Sequence, residues 1–278
     1  MPPFPNLISD SVLIKDAIRL LALSGGRAPA VKVVDRVMRI RKPDPTLAKR
    51  LVADLVERDT RLALHQDEVV YIEQDRDSIS FSDAEFVVID LETTGAKAPP
   101  CRVTEIGAYS IKKGTIADEF RTLVNPEAPI PPFITALTGI NDEMVRDAPR
   151  FGDIADDLLG FIGDAVVVAH NAQFDMGFLD HEIGRVYEDY RLGNPTLCTV
   201  KLSRRLLPQI ENHKLNTVAR HYSIDLVNHH RASDDAKATA EIFLHFIEEM
   251  SGIGIYDIGG ANQLSRKKLT LKTKYQTQ

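Results

Sequence analysis

The spacing of apolar positions at the start of the chain predicts three helices. Residues 10–23 place apolar side chains three and four positions apart, as one face of an amphipathic helix does. A second helix is expected from Pro29 to about Ile40. The third is expected to begin at Asp44-Pro45, because aspartate caps helix amino termini and proline suits the first helical position.

After these helices the pattern changes to short apolar runs. Residues 61–64 and 69–72 have the composition of two strands joined by a polar turn. Three helices followed by a hairpin resemble a winged helix, so residues 1–80 are interpreted as a winged-helix-like module. The polar stretch 73–85 is the predicted linker to a second domain.

From Phe86 onward, strand-like runs come first and then alternate with helical patterns. Strands are expected at 86–89, 103–111, 115–124 and 165–169, and helices at 151–162, 174–187, 199–206, 215–222 and 234–250. That order predicts a mixed α/β sheet in a domain spanning residues 81–250. Residues 251–278 are polar with a basic cluster at 266–268, and they are the predicted mobile tail.

Composition narrows the class of protein. The length of 278 residues favours two domains, and 44% hydrophobic with 27% charged residues is typical of a globular chain. No apolar run approaches the length of a membrane span, and the amino terminus lacks the segments of a signal peptide. Two widely separated cysteines, Cys101 and Cys198, indicate neither a disulfide framework nor a zinc site. A cytoplasmic protein without a membrane partner is therefore expected.

The net charge of −6 conceals an uneven distribution. Residues 1–80 hold 13 Lys/Arg and 12 Asp/Glu, whereas the rest of the chain holds 21 and 28. Residues 27–50 alone hold eight basic and two acidic residues, which predicts a local basic surface. One interpretation places Lys49 and Arg50, on the exposed face of the third helix, against nucleic-acid phosphates. The equally open alternative is a solvated helix face or a surface that docks a protein.

Two acids, Asp90 and Glu92, follow the first strand of the second domain. Side chains two residues apart on a strand point to the same face, so both carboxylates are aimed at one point. Such hard oxygen ligands suit Mg²⁺ or Mn²⁺. Taken alone, however, a pair of this kind is more often a strand that ends in solvated acids.

Two further acidic segments lie at predicted helix starts. Residues 170–175 read His-Asn-Ala-Gln-Phe-Asp, and residues 229–235 read His-His-Arg-Ala-Ser-Asp-Asp. The aspartates could be present only for their favourable interaction with the helix dipole, with Ser233 as a cap. A histidine beside acids, in contrast, supplies a group that titrates near neutral pH, as a general base requires.

The combination of these segments resembles the DnaQ-like DEDDh exonucleases, which include the proofreading subunits and domains of bacterial replicative DNA polymerases. The matching motifs are Asp-x-Glu-Thr-Thr-Gly from residue 90, His-Asn-x-x-Phe-Asp from residue 170 and His-x-x-x-x-Asp from residue 230. Weaker fragments lie at 104–108, 137–140 and 213–215. The resemblance covers residues 86–249, and it implies a ribonuclease-H-like fold with a five-stranded mixed sheet flanked by helices.

The resemblance also implies a site. Two divalent cations, Mg²⁺ or Mn²⁺, would be held by four acids: Asp90, Glu92, Asp175 and Asp235. His230 would be the general base. The five-residue step from His230 to Asp235 selects these residues over their neighbours His229 and Asp234. Thr93 would line the pocket of the terminal nucleotide.

The leading hypothesis is a metal-dependent 3′→5′ exonuclease that acts on DNA and releases nucleoside 5′-monophosphates, in proofreading or repair. Its expected partners are single-stranded 3′ ends and a DNA polymerase or another replication or repair protein. The first alternative is an exoribonuclease of the same family, which the motifs do not separate from the first. The second is a non-catalytic nucleic-acid-binding or regulatory protein with a relic nuclease fold, and the five intact residues argue against it.

Overall fold

A computed structural model describes residues 2–72, 75–226 and 229–266 of the chain. Parts of the predicted linker (73–74) and of the predicted tail (267–278) lie outside the described residues. The strands are β1 Leu7–Ser9, β2 Arg27–Pro29, β3 Leu62–His65, β4 Glu68–Tyr71, β5 Phe86–Thr93, β6 Val103–Lys112, β7 Thr115–Leu123, β8 Val166–Ala169, β9 Tyr190–Leu192 and β10 Thr196–Cys198. The helices are α1 Val12–Ala22, α2 Ala30–Arg36, α3 Pro45–Val56, α4 Pro132–Thr138, α5 Asp142–Val145, α6 Phe151–Ile162, α7 Ala172–Val186, α8 Thr199–Leu206, α9 Leu215–His221, α10 Ala232–Gly252 and α11 Ile258–Arg266.

The central sheet has the strand order β10-β8-β5-β6-β7. Strand β5 runs parallel to β8 and antiparallel to β6, so the sheet is mixed. Val87 and Ile89 of β5 pack with α6 and α7 on one face, whereas Phe86 and Val88 pack with α10 on the other. Because the strand is covered on both faces, it is a nearly continuous apolar run. The predicted α/β architecture, a five-stranded mixed sheet flanked by helices, is confirmed.

The amino-terminal part contains the three predicted helices and the predicted hairpin, β3 with β4. A short strand that the sequence did not predict, β2, adds to β4 and completes a three-stranded antiparallel sheet. Helix α2 ends at Arg36 rather than near Ile40, and the backbone reaches a positive φ of 60° at Arg39, which a helix cannot accommodate. The assignment of this module as a winged helix stays a prediction.

The first strand joins the amino-terminal part to the α/β part. Strand β1 pairs antiparallel with β9, and Leu7 is buried in the core between the sheet and α6 and α7. The buried carboxylate of Asp59 accepts hydrogen bonds from the backbone N–H of Ser9 at 2.8 Å and from the guanidinium of Arg61 at 2.8 Å. The two parts on either side of the proposed boundary at residue 80 are therefore joined by hydrogen bonds that residues 7–10 make.

The prediction of a mobile tail from residue 251 is wrong for residues 258–266. These residues form α11, and Ile258 and Ala261 are buried against the α10 face of the sheet. Ile255 and Leu264 extend the same stripe at helical spacing, so a short apolar face was present within a polar segment. Among the described residues, no helix is both long and apolar enough to cross a bilayer.

Candidate active site

Asp90 and Glu92 lie within strand β5, which continues through Thr93 rather than ending at Ile89. Both are partly exposed, while the intervening Leu91 is buried, as the alternation of a strand requires. The two carboxylates therefore share one face of the sheet at the carboxyl end of β5, as their two-residue spacing predicted.

Asp175 and Asp235 reach the same edge of the sheet from two helices. Asp175 lies in the first turn of α7, which follows the parallel strand β8, and Asp235 lies in the first turn of α10. Both side chains are buried. Carboxylate oxygens of Asp90, Glu92 and Asp235 lie within 4.8 Å of one another, and the charge of Asp175 acts on both β5 acids. The structure thus brings together all four acids that the resemblance implied.

Crowding and burial make these carboxylates hard to ionise. Burial raises the pKa of Glu92 to about 8, and the charges of Asp235 and Glu105 add to the effect. Burial likewise raises the pKa of Asp175 to about 8, against the opposing effect of backbone hydrogen bonds. The pKa of Asp90 is raised well above its usual range by burial and by the charges of Asp175 and Asp235. A bound divalent cation would remove this repulsion.

The donor set fits such a cation. Three carboxylates within reach of one another offer only oxygen atoms, the ligands preferred by Mg²⁺ and Mn²⁺. Asp90, Glu92 and Asp235 could hold one ion directly. Asp175 lies close enough to Asp90 for their charges to interact strongly.

The start of α10 is fixed by strand β6. The carboxylate of Glu105, buried in β6, accepts hydrogen bonds from Arg231 Nη2 at 2.7 Å, from Arg231 Nε at 3.0 Å and from the backbone N–H of Ala232 at 3.1 Å. A Cβ at Gly107 would lie 2.3–2.4 Å from backbone atoms of Ala232 and Ser233, so only glycine permits this approach. Residues 104–108 form one of the weaker matching fragments, and the sequence assigned them no role. Their contacts with the start of α10 position Asp235.

Two histidines lie beside Asp235. His229 Nδ1 is 3.1 Å from Asp235 Oδ1, and the backbone N–H of His230 donates to Asp235 Oδ2 at 3.0 Å. Their rings stack with centroids 3.9 Å apart. Burial and the neighbouring His229 lower the pKa of His230, so its ring is neutral near pH 7. The resemblance selected His230 over His229, and that choice stays a prediction; the contact of the His229 ring with Asp235 was not anticipated.

Two cavities meet at the acids and share Asp90, His170, Asn171, His230 and Asp235. One, of about 460 Å³, is called here the apolar cavity, because its lining beyond the acids includes Phe133, Ile134, Leu137 and Phe174, together with Thr93. The other, of about 910 Å³, is called here the cationic cavity; its further lining includes Arg204, Asn212, His213, Lys214 and Asn216. Thr93 therefore lines a cavity beside the acids, and its place in a nucleotide pocket stays a prediction.

His170 connects the two cavities and was not among the predicted site residues. Its Nδ1 is 2.9 Å from Thr199 Oγ1, and its Nε2 is 3.1 Å from the backbone oxygen of His213. Burial lowers the pKa of His170 to about 4, so the ring is neutral and acts as a hydrogen-bonded support. His170 belongs to the motif at residues 170–175, so the sequence pointed to it. Only its hydrogen-bond partners in the structure distinguish a supporting residue from a catalytic one.

The structure does not bring Lys49 and Arg50 to the acids. Both are exposed on α3, and neither lines the apolar or the cationic cavity. Lys49 Nζ lies 3.1 Å from Asp67 Oδ1 in an ion pair at the surface. Their contact with nucleic acid stays a prediction.

Known proteins are similar to this chain in sequence. The profile of the RNase_T family, described as exonuclease, matches residues 87–243. The DNA polymerase III PolC-type of Caldanaerobacter subterraneus subsp. tengcongensis is 43% identical over 182 residues, which make up 66% of this chain and 13% of that protein. The PolC-type protein of Latilactobacillus sakei subsp. sakei is 34% identical over 237 residues, 85% of this chain and 16% of that protein. The chain thus spans less than a fifth of the length of these relatives.

Solved structures are similar to this chain in fold. Exonuclease X in complex with 5′-overhanging duplex DNA aligns with a TM-score of 0.51 and 28% identity, covering 65% of this chain and 99% of that chain. E. coli exonuclease I in complex with a dT13 oligonucleotide aligns with a TM-score of 0.54 and 14% identity, covering 61% of this chain and 42% of that chain. The second match shows the fold alone.

Proposed function

The chain belongs to the RNase_T family of exonucleases, and from this premise we propose that it is a metal-dependent 3′→5′ exonuclease that hydrolyses DNA phosphodiester bonds to nucleoside 5′-monophosphates. One observation carries the proposal. Four acids from β5, α7 and α10 converge beside His230 at a point where two cavities meet. Acids with pKa values raised by burial and mutual repulsion are costly for stability, which supports a functional reason for their presence.

In the proposed reaction, Asp90, Glu92, Asp175 and Asp235 would hold two divalent cations, Mg²⁺ or Mn²⁺. Divalent cations bound there would supply a water-derived nucleophile and would stabilise charge on the departing 3′ oxygen. His230 is the proposed general base. Its lowered pKa keeps it neutral and able to accept a proton from water near pH 7. His229 holds Asp235 through the 3.1 Å contact and is proposed to orient it.

The apolar cavity is the proposed site of the 3′-terminal nucleoside. Phe133 and Leu137 are 68% and 52% exposed on α4, so they present apolar surface on which a base can pack. Thr93 Oγ1 donates to the backbone oxygen of Gly95 at 2.7 Å, which fixes the loop at one side of this cavity. Because the carboxylates line the same cavity, a nucleoside there would place its phosphodiester near the acids.

The proposed substrate is DNA, and the proposed setting is proofreading or repair. The named relatives are DNA polymerase III proteins, and the structure of exonuclease X contains duplex DNA. These names support a DNA strand as the substrate and a DNA polymerase as a partner. The relatives are several times longer than this chain, so the partnership is part of the proposal.

The proposal is tested with end-labelled strands of DNA and RNA, single-stranded, duplex and duplex with a mismatched 3′ end, in Mg²⁺ or Mn²⁺. We expect stepwise shortening from the 3′ end, faster on DNA than on RNA, and loss of turnover in Asp90→Asn. Binding of Mn²⁺ measured by calorimetry supplies a readout apart from activity. Turnover by Asp90→Asn near that of the wild type would contradict the assigned site, and faster turnover of RNA would contradict the assigned substrate.

A further inference from the structure

Two cationic side chains line the cationic cavity, and the proposed chemistry leaves them unused. Arg204 of α8 and Lys214, just before α9, are both exposed. Among the described residues, no carboxylate lies within ion-pair distance of either side chain. The charge of Arg204 contributes to lowering the pKa of His213, after burial, so the guanidinium lies near the loop that carries Lys214.

The backbone segments that carry Arg204 and Lys214 are anchored near the acids. His213 Nδ1 lies 3.1 Å from Ser203 Oγ, which ties the loop before α9 to helix α8. The backbone oxygen of His213 lies 3.1 Å from His170 Nε2 at the end of β8, which ties the same loop to the sheet edge. The backbone N–H of Lys214 donates to Asn212 Oδ1 at 3.0 Å. Lys214 is therefore carried by a loop that is anchored at two points.

The other cavity offers no such charge. Within the described ranges, no lysine or arginine lines the apolar cavity, whereas Asp90, Glu92, Asp175 and Asp235 concentrate negative charge where a phosphodiester must bind. A strand carries about one phosphate for each nucleotide, and cations near the phosphates beyond the reacting one strengthen binding of the strand. Arg204 and Lys214 supply that positive charge in the cationic cavity.

We infer that Arg204 and Lys214 bind backbone phosphates of the strand on the 5′ side of the scissile bond, while the terminal nucleoside occupies the apolar cavity. This assignment rests on the proposed function. It divides the site into an apolar subsite that binds the terminal nucleoside and a cationic subsite that binds the strand on the 5′ side of the scissile bond. Affinity should therefore grow with strand length beyond the reacting nucleotides.

The test compares Arg204→Ala with Lys214→Ala, singly and together, on a dinucleotide and on a single strand of about ten nucleotides. For the longer strand, the double variant should raise KM by roughly fivefold to tenfold with kcat little changed. The slope of log(kcat/KM) against log salt should flatten by about 0.7 for each phosphate that is no longer bound, so by about 1.4 for two. The dinucleotide should be affected much less, because it presents no phosphate to the cationic subsite.

Lys201→Ala is the matched control, since Lys201 is exposed on α8 but does not line the cationic cavity. Its salt slope should equal that of the wild type. Equal slopes for the wild type and the double variant would overturn the inference, and so would an equal effect on the dinucleotide and the longer strand.

Fluorescence anisotropy of the longer strand with Asp90→Asn, alone or combined with the double variant, measures the same slope without hydrolysis. Absence of turnover by the wild type would refute the proposed function, while unchanged anisotropy slopes would refute this inference.

Discussion

The carboxylate of Glu105 accepts two hydrogen bonds from the guanidinium of Arg231, at 3.0 and 2.7 Å, although the two residues are 126 positions apart. In the strand register Glu105 lies opposite Glu92, where two carboxylates would repel each other. Arg231 offsets that repulsion, and its charge opposes the rise in the pKa of Glu92. The pair therefore allows an acidic strand to lie beside the acid cluster and fixes the helix that carries Asp235.

Glu105→Ala should lower the free energy of unfolding and reduce kcat together. Removing a buried carboxylate leaves Arg231 and the N–H of Ala232 without their acceptor, at a cost of about 2 kcal/mol after allowance for the partial exposure of Arg231. Chemical denaturation and single-turnover rates measure the two effects. Glu119→Ala is the control, since exposed Glu119 accepts from Ser233 on the same helix and should cost no more than about 0.5 kcal/mol. Full activity of Glu105→Ala would show that α10 does not depend on this contact.

Gly107→Ala should push the start of α10 away from β6. The new methyl group would lie 2.3–2.4 Å from the backbone of Ala232 and Ser233, and overpacking against backbone costs about 1–3 kcal/mol. Because Asp235 moves with the helix, Mn²⁺ affinity measured by calorimetry should fall as well. Gly160→Ala in α6 meets nothing within 4 Å and should be neutral or stabilising. If both alanine variants bound Mn²⁺ equally, the contact would not position Asp235.

Without metal, the protein should lose stability as pH rises from about 5 to about 8. The folded-state pKa values of Glu92 and Asp175 are raised to about 8, so the folded state binds more protons than the unfolded state across this interval. Their contribution is complete below the ordinary carboxyl pKa and is lost as pH passes through the raised value. Thermal denaturation in a chelator should therefore show a midpoint that falls by several degrees, and Asp90→Asn should reduce the fall by removing one charge. Added Mg²⁺ or Mn²⁺ should reverse the trend, since ligand carboxylates must be ionised. A midpoint independent of pH in the chelator would contradict the raised pKa values.

His230→Ala and His229→Ala should fail in different ways. Loss of the proposed base should lower kcat near pH 7 but allow partial recovery at higher pH, where hydroxide becomes available. Loss of His229 removes the 3.1 Å contact with Asp235 and should weaken Mn²⁺ binding, with no recovery of kcat at high pH. The kcat profile against pH and calorimetry distinguish the two. If His229→Ala recovered kcat at high pH and His230→Ala instead weakened Mn²⁺ binding, His229 would be the base.

Lys49→Ala combined with Arg50→Ala should weaken binding of long single strands if the basic surface of residues 27–50 contacts phosphates. Neither residue lines the apolar or the cationic cavity, so turnover of short oligonucleotides should be unchanged. The slope of log affinity against log salt should flatten by about 0.7 for each phosphate that the variant fails to bind. Lys15→Ala is the control, because Lys15 lies on α1 outside this surface in an ion pair with Asp10. Unchanged slopes would favour the alternative of a surface that docks a protein.

The sequence by itself determined most of the helices and the longer strands, and the resemblance selected the acids. Apolar runs predicted the strand at β5 and the hairpin of β6 and β7, and helical spacing predicted the long helix α10, because these patterns depend on neighbours in the chain. The resemblance predicted which of two adjacent aspartates belongs to the cluster, and Asp235 rather than Asp234 is the residue beside Asp90 and Glu92.

Only the tertiary structure decided how the acids are brought together and held. Asp175 and Asp235, taken singly, were indistinguishable from acids that favour a helix start. The contacts of Glu105 with Arg231, of Gly107 with the backbone of Ala232 and of His170 with Thr199 join residues far apart in the chain, so no local pattern contains them. The pairing of β1 with β9 and the burial of α11 were missed for the same reason. Periodicity predicts which side of an element is buried, whereas the partner that buries it is decided by the packing of the whole chain.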